Sequence, residues 1–269
     1  MSAEERQKRI ENYLKQVEFA SLEELAKQVN ASTSTVRRDL TLMETTGVLK
    51  RTHGGARMTE PPSSDEFIFS ARQTHQLTEK DAIGKACAEL IPPNQSVIID
   101  AGTTTYHVAR YLENKTPHII TNSLPVANHF AGANRLEVVV SGGVIYPRLG
   151  VLVGPLAVEA FTKIHADVAI MSGGGIAIDG GVSNSHGLLI DIQRAMINAA
   201  QRVIFCFDHT KFGRQSVLPL CGLDCIDTIV TDSGAPIELV NQFREKGIEV
   251  IVAQLAGKDG GKIEANGKA

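Results

Sequence analysis

Over the first sixty positions the apolar residues recur with the period of a helix. Ile10, Leu14 and Val17 stand at i, i+4 and i+7, which predicts one amphipathic helix. Ser21-Leu22-Glu23-Glu24 has the form of a capping box: the serine oxygen accepts from a backbone N–H while Glu24 reaches back to the Ser21 N–H. Leu22, Leu25 and Val29 then line a second short helix, and Asn30-Ala31 supplies a turn. Ser32 is placed to cap a third helix whose buried stripe is Val36, Leu40 and Met43, and Gly47 ends it. Val48-Leu49-Lys50-Arg51 starts a strand, with Gly54-Gly55 as the tip of a tight hairpin.

Beyond this module the period changes. Pro61-Pro62-Ser63-Ser64-Asp65 is rigid and polar, so residues 58–78 read as a linker. Short β-branched runs follow: Val97-Ile98-Ile99, His118-Ile119-Ile120, Val138-Val139-Val140, Val168-Ala169-Ile170, Val203-Ile204-Phe205, Thr228-Ile229-Val230 and Val250-Ile251-Val252. Helical stretches such as Lys80–Leu90, Thr104–Leu112 and Leu188–Ala200 lie between them. Strands apolar on both faces and separated by helices predict an α/β domain over residues 79–253, a parallel sheet covered on both sides. Residues 254–269 are polar and glycine-rich, and read as a flexible tail. The expected organisation is a winged helix-turn-helix domain over residues 1–57 followed by this sheet domain.

Composition narrows the function classes. The chain has 269 residues and 28.9 kDa, 43% of them apolar and 21% charged, which excludes disorder throughout. No apolar run approaches the roughly 18 residues of a membrane span, so no membrane partner is expected. Met1–Arg6 lacks the basic start and apolar stretch of a secretory signal, and Cys87, Cys206, Cys221 and Cys225 are too scattered for a disulfide framework or a paired zinc site. A cytoplasmic place with reduced thiols is expected, with no metal and no cofactor. Net charge is −3, but residues 1–57 hold ten Lys/Arg against eight Asp/Glu, while the remainder is acidic. A small basic surface on an acidic body suits an anion-binding module.

In a winged helix-turn-helix the second helix of the motif enters the major groove. With Val36, Leu40 and Met43 inward, the opposite surface carries Ser34, Arg37, Arg38 and Thr41. Ser32, Thr33, Ser34 and Thr35 are small and polar, which lets the helix start approach bases and phosphates. Arg37 or Arg38 suits either a guanine edge or a phosphate; Lys50, Arg51, His53 and Arg57 suit the backbone of the neighbouring groove. The alternative is a three-helix interaction domain in which Arg37–Asp39 is a surface ion cluster.

In the second module, Val97–Asp100 is a strand ending in a carboxylate. Gly102 permits a tight turn, and Thr103-Thr104-Thr105 opens a helix with three hydroxyls at its positive end. That combination cradles a phosphate or simply caps a helix. Thr121-Asn122-Ser123, Ser141-Gly142-Gly143 and the glycines Gly173 and Gly175 also leave apolar strands, and ligands of open parallel sheets gather at that edge. Lys211, just beyond the Val203–Asp208 strand, is the cation best placed for a phosphate.

Two blocks carry a family resemblance: Ser34-Thr35-Val36-Arg37-Arg38-Asp39-Leu40 and Gly47-Val48-Leu49-Lys50-Arg51-Thr52-His53-Gly54-Gly55-Ala56. They resemble the N-terminal signature of the DeoR/GlpR family of bacterial transcriptional regulators. Asp100–Thr105, Thr121–Ser123, Ser141–Gly143 and Asp208–Arg214 recur in that family's order, so the likeness covers roughly residues 4–253. It implies a repressor of carbohydrate metabolism that responds to a phosphorylated sugar, with a C-terminal domain sharing the fold of ribose-5-phosphate isomerase. Its partners would be operator DNA, the effector and further copies of itself, as a homodimer or homotetramer. The chain departs from the family pattern where Gly174 replaces an acid, Leu189 a glutamate and Gln193 a lysine. An isomerase needs a base and an electrophile, so these departures favour a regulator over an enzyme. A constitutive DNA-binding protein with a vestigial pocket is the third reading.

Overall fold

The computed structural model describes residues 2–14, 20–45, 49–52, 54–58, 69–113, 115, 118–133 and 136–255. The chain divides into two compact units, Met1–Ala71 and Arg72–Ala269. In the first, α1 (Ala3–Leu14), β1 (Ala20–Ser21), α2 (Leu22–Gln28) and α3 (Thr33–Thr45) precede a hairpin of β2 (Leu49–Thr52) and β3 (Gly55–Met58). Val17, Gly47, Val48 and His53, which carried sequence expectations, lie outside the described residues.

The capping box forms as expected: Glu24 N–H donates to Ser21 Oγ at 3.2 Å, and Ser21 N–H to the Glu24 carboxylate at 2.8 Å. Ser32 Oγ likewise accepts the Thr35 N–H, capping α3. Ile10, Leu14, Leu25, Val29, Val36, Leu40 and Met43 close one apolar core. Thr52 pairs with Gly55, so Gly55 belongs to β3 rather than to the hairpin tip that the glycine pair suggested. The pattern did not reveal β1, whose two residues pair with β3 and make the wing three-stranded. A two-residue strand is too short to show a period.

One charged residue is built into this core. Asp39, on α3, is only 5% exposed and accepts from Arg6 Nε at 2.6 Å and from the second guanidinium nitrogen at 3.2 Å. Gln7 adds a donor at 3.3 Å. The Arg37–Asp39 surface cluster of the alternative reading is therefore not what forms: Asp39 turns inward and locks α3 to α1.

The second unit opens with the end of α4 (Phe69–Thr74), then α5 (Leu77–Glu89), β4 (Ser96–Ile99), α6 (Thr103–Ala109), β5 (His118–Thr121), α7 (Leu124–Phe130) and β6 (Glu137–Val140). A ribbon of β7 (Val144–Tyr146) and β8 (Val151–Val153) leads to α8 (Pro155–Thr162) and β9 (Ala166–Met171). There follow β10 (Gly175–Ala177), β11 (Gly181–Asn184), α9 (Gly187–Asn198), β12 (Ala200–Cys206), β13 (Leu218–Cys221), β14 (Thr228–Asp232), α10 (Ile237–Glu245) and β15 (Glu249–Ala253). Much of the described part of the expected linker is thus helical, in α4 and the start of α5, while residues 59–68 and 256–269 lie outside the described residues.

Among the described residues, seven strands form the main sheet in the order β6-β5-β4-β9-β12-β14-β15, every neighbouring pair parallel. The chain winds outward from β4 to β6, then returns to β9 on the other side of β4. The order reverses between β4 and β9, and the carboxyl ends of these two strands mark the place where such sheets bind ligands. Val138-Val139-Val140 is a strand, as expected, but its position at the sheet edge leaves Val139 and Val140 39% and 40% exposed. No helix among the described residues is long and apolar enough to cross a membrane.

The Arg6–Asp39 pair yields a direct test. Asp39→Asn keeps the shape but removes the anionic acceptor of a two-pronged guanidinium bond. The variant should melt at a lower temperature by circular dichroism and bind DNA more weakly, although Asp39 faces away from the polar surface of α3.

Candidate functional site

Two surfaces carry chemistry, one in each unit. On α3, Ser34, Arg37, Arg38 and Thr41 are exposed, opposite the buried stripe of Val36, Leu40 and Met43. Ser32 Oγ lies 2.9 Å from Ser34 Oγ and 2.8 Å from Thr35 Oγ1, so the polar start of the helix is a linked hydroxyl group, with Thr33 exposed beside it. Thr41 Oγ1 donates to the Arg37 carbonyl and accepts from the Arg51 guanidinium at 2.7 Å, while Arg51 N–H donates to Glu44 at 2.9 Å. Thr41 and Arg51 thus join α3 to the wing before either meets DNA. The side chains of Lys50, His53 and Arg57 lie outside what the structure describes.

In the sheet unit, Asp100 follows β4 at the reversal of strand order and is 3% exposed. Its Oδ1 accepts from Ala101 N–H at 2.8 Å, and its Oδ2 from Gln193 Nε2 at 2.8 Å and Ser172 N–H at 3.2 Å. Burial pushes its carboxyl above the usual range; those three hydrogen bonds and the charge of Arg72 act the other way. Gln193 also donates to the Ser172 carbonyl and accepts from Asn184 at 3.0 Å. The Gln193 amide therefore joins β9, β11 and α9 to Asp100 without adding a charge.

Gly102 is the N-cap of α6, and Thr103, Thr104 and Thr105 are all buried in its first turn. Thr105 Oγ1 donates to the Asp100 carbonyl at 2.5 Å and accepts from Gly102 N–H at 2.9 Å, so it serves the turn. The hydroxyls of Thr103 and Thr104 have no such partner among the described residues. One strand over, Thr121 donates to the Ile99 carbonyl, Ser123 caps α7, and Asn122 Nδ2 donates to Leu152. Asn122 Oδ1 is buried with no hydrogen-bond partner among the described residues. Ser141, Gly142 and Gly143 leave the edge strand β6, two strands from β4 and about 10 Å away at ordinary strand spacing. Gly143 has φ +114°, and a Cβ there would sit 2.7 Å from the Val153 carbonyl, so this glycine seats β8.

Gly173 and Gly175 are close-packed. A Cβ would lie 2.7 Å from Val182 Cγ1 at the first and 2.2 Å from the Arg214 carbonyl at the second. At Gly174 a Cβ would come within 2.4 Å of Ser216 Oγ, so an acid there needs Ser216 to move. Leu189 is buried in an apolar cluster with Ala101, Leu149, Val151 and Val153. Lys211 ends the 3-10 turn His209–Lys211, whose N-cap Asp208 accepts the Thr210 N–H and hydroxyl. It follows β12, two strands from β4 on the opposite side from Ser141.

Sequence reasoning missed several charges of this unit. Arg72 is near enough to act on Asp100, Lys80 and His186, and Arg148 acts on His186 as well; burial first, then these charges, push the His186 imidazole down. Lys80 is 4% exposed, and burial pushes its ammonium down to about 8. A legible signal existed: Lys80, Ile83, Gly84, Cys87 and Ala88 share the buried face of α5 at helical spacing, so this lysine interrupts an apolar stripe. His209 also acquires a partner invisible in the sequence, its Nδ1 lying 2.9 Å from Asp232 Oδ1.

Comparison with known proteins decides what these two surfaces belong to. Residues 6–61 match the model of the DeoR-like helix-turn-helix domain, and residues 75–233 match that of the DeoR C terminal sensor domain. The chain belongs to the DeoR family of transcriptional regulators. As a DeoR-family protein it is similar to the glycerol-3-phosphate regulon repressor of Escherichia coli, 30% identical, with 93% of this chain and 99% of the relative covered. It is 32% identical to the transcriptional repressor CsqR of Escherichia coli, covering 88% and 90%. It is 29% identical to the regulator GolR of Listeria innocua, covering 93% and 98%. Ribose 5-phosphate isomerase A of Methanocaldococcus jannaschii matches with a TM-score of 0.37 at 13% identity over 49% of this chain and 53% of that one, too low to carry an argument. The winged helix-turn-helix and the parallel α/β sheet stand on the elements themselves.

Two outcomes test the site's construction. Gln193→Ala strips a buried donor from Asp100 and from the Ser172 carbonyl, and should lower stability by about 1–3 kcal/mol in urea unfolding. Lys80 gives a pH signature. Its folded value of about 8 lies below the ordinary lysine range, so the unfolded chain binds the extra proton between the two. Stability contributed at this position should therefore rise as pH climbs from about 8 towards the unfolded lysine value. Lys80→Met should flatten that rise in thermal melts, with Asp208, Arg72, Lys211, Glu79 and His107 as the surrounding charges.

Proposed function

We propose that this DeoR-family regulator is a cytoplasmic repressor of a carbohydrate-metabolism operon, relieved or modulated by a phosphorylated sugar, and that it is not an enzyme. The observation that carries the reading is the pairing, in one chain, of an exposed Ser/Thr/Arg face on α3 with the buried polar strand end of Asp100 and the first-turn threonines of α6 at the reversal point of a parallel sheet. The names of its relatives support the same role: repressors predominate among them, and one is the repressor of a glycerol-3-phosphate regulon.

In this reading Arg37 and Arg38 read or clamp DNA, Ser32, Thr33, Ser34 and Thr35 approach it at the helix start, and Lys50, Arg51, His53 and Arg57 follow the neighbouring backbone. Thr41 positions Arg51. In the sensor, Thr103, Thr104, Gly102 and Lys211 bind the phosphorylated ligand. Asp100, Thr105, Thr121, Asn122 and Ser123 shape the strand ends around it, and Ser141, Gly142, Gly143, Gly173 and Gly175 shape the loops. The carboxylate of Asp100 is already occupied by protein donors, so it orients the site more than it reaches for hydroxyls. With Leu189 apolar and Gly174 bare, the end of the site away from the phosphate is less acidic than the family pattern. One recognition helix covers little DNA, so the working form is a homodimer or homotetramer on paired half-sites.

Replacing Arg37 and Arg38 with Ala should remove sequence-specific binding, at about 1–3 kcal/mol for each base no longer read, while leaving the melting temperature in place. Fluorescence anisotropy on a duplex selected by the wild-type protein from a random library measures it; undiminished affinity of the folded variant would refute the assignment. For the sensor, calorimetry with matched pairs of sugars and sugar phosphates should show binding of the phosphorylated member alone, weakened by Lys211→Ala. Charge-assisted hydrogen bonds are roughly twice as strong as neutral ones, and several disappear together with the phosphate. Equal affinity within every pair would remove the phosphate from the proposal.

A further inference from the structure

His209 is held in a way that a tie between strands does not require. It follows the carboxyl end of β12, first in the 3-10 turn His209–Lys211, and Asp232 ends the neighbouring parallel strand β14. The His209 N–H donates to Asp232 Oδ2 at 2.8 Å, and that bond alone joins the two strand ends. The imidazole is fixed as well. Its Nδ1 lies 2.9 Å from Asp232 Oδ1, which also accepts the Gly234 N–H at 2.8 Å. Asp232 is fully buried. A carboxylate only accepts, so Nδ1 carries the proton, and the neutral ring leaves Nε2 as a bare acceptor. A Cβ on Gly234 would sit 2.9 Å from both Cγ and Nδ1 of the ring, so glycine is what admits the imidazole on that side. The side chain is nonetheless 32% exposed, and with its Cγ–Nδ1 edge covered the exposure falls on the edge that carries Nε2. Nε2 has no hydrogen-bond partner among the described residues. This end of the sheet is the one that bears Asp100. Ser172, after β9, donates its N–H to Asp100 and its hydroxyl to the Cys206 carbonyl at 3.1 Å, and Phe207 N–H bonds the Val230 carbonyl at 3.0 Å. Hydrogen bonds thus run from the Asp100 turn to the strand end that leads into His209.

We propose that His209 is an effector-binding residue whose Nε2, once protonated, donates to an anionic oxygen of a phosphorylated ligand, an inference that rests on the effector reading above. Asp232 sets the orientation of the ring and decides which nitrogen faces outward. An imidazole changes charge near neutrality, and only its protonated form has a donor at Nε2. Binding an anion there therefore takes up a proton, and affinity falls as rising pH strips the ring of it. The charges around the ring are Asp232 from β14, Asp208 and Lys211 from its own turn, and Lys80 from α5, which packs against β14. The Lys80 ammonium interacts with Asp208, has Arg72 and Glu79 beside it, and donates to the carbonyl oxygens of Arg72 and His75, both at 2.6 Å.

The test uses the full-length chain, wild type and His209→Asn, with glycerol 3-phosphate, fructose 6-phosphate and inorganic phosphate as probes. Asparagine keeps a side-chain N–H where Nδ1 stands, so the bond to Asp232 is retained and only Nε2 is lost. The variant should melt close to wild type by circular dichroism. Calorimetry should show its affinity for a phosphorylated probe reduced on the order of tenfold or more at about pH 6.5, since a hydrogen bond between charged groups is lost. The reduction should be smaller at about pH 8.5, where the wild-type ring is neutral too. Both conditions lie above the second ionisation of a phosphate monoester, at about 6, so the probe is mainly a dianion in each. Lys80, at about 8, is common to both proteins, and comparison at each pH cancels it. A histidine that only ties β12 to β14 predicts equal affinities, and that result overturns the proposal while leaving the effector reading in place. So does a loss of the same size at both pH values, which would make Nε2 a contact of a neutral group. Should the variant not fold, wild type with isotope-labelled histidine decides: a bound probe should move the ring-nitrogen resonances of His209, and unmoved resonances overturn the proposal. If none of the probes binds the wild type at either pH, the effector reading fails and this one falls with it.

Discussion

The sensor unit is organised around one buried carboxylate. Asp100 sits where the sheet changes its direction of winding, and its two oxygens take donors from its own turn, from the end of β9 and from α9. A carboxylate removed from water is costly unless its lone pairs are filled, and here three donors fill them. The two halves of the sheet and the helix that covers them are thereby pinned at the point where the ligand-binding crevice of such a sheet opens. Loss of any one donor removes one of the bonds that favour the ionised carboxylate against its burial.

Around that fixed point the charges are unevenly shared. Gln193 meets Asp100 as a neutral amide, so the positive charge that balances the site comes from elsewhere: Arg72 acts on Asp100, and Lys80 and Lys211 lie together near Asp208. Leu189 lies in an apolar cluster with Ala101, Leu149, Val151 and Val153.

The DNA-binding unit uses the same device on a smaller scale. A buried acid, Asp39, takes a two-pronged bond from Arg6 and fixes α3 against α1, while Arg37 and Arg38, between Val36 and Leu40, face outward. Thr41 and Arg51 then tie α3 to the wing. Recognition by a single short helix depends on its orientation, since a small rotation carries every base-reading side chain out of reach.

Much of this was legible in the residues. The stripes of α1, α2 and α3, the capping box at Ser21, the alternation of apolar strands with helices and the signature blocks around Arg37 and His53 are local patterns, and local patterns report elements and family. What local pattern lacks is the third dimension. The two-residue β1, the exposure of Val139 and Val140 at a sheet edge, and the helical nature of much of the described part of the expected linker follow from partners distant in sequence. The inward turn of Asp39 towards Arg6 spans 33 residues, and the bond from Gln193 to Asp100 spans 93. Lys80 stood in plain view as a break in an apolar stripe, but only the packed fold supplied the two carbonyls that hold it. Periodicity is a property of one segment, while the pairing of buried charges depends on which segments the fold brings together; the sequence determined the elements and the family, and the tertiary structure decided where the charges went.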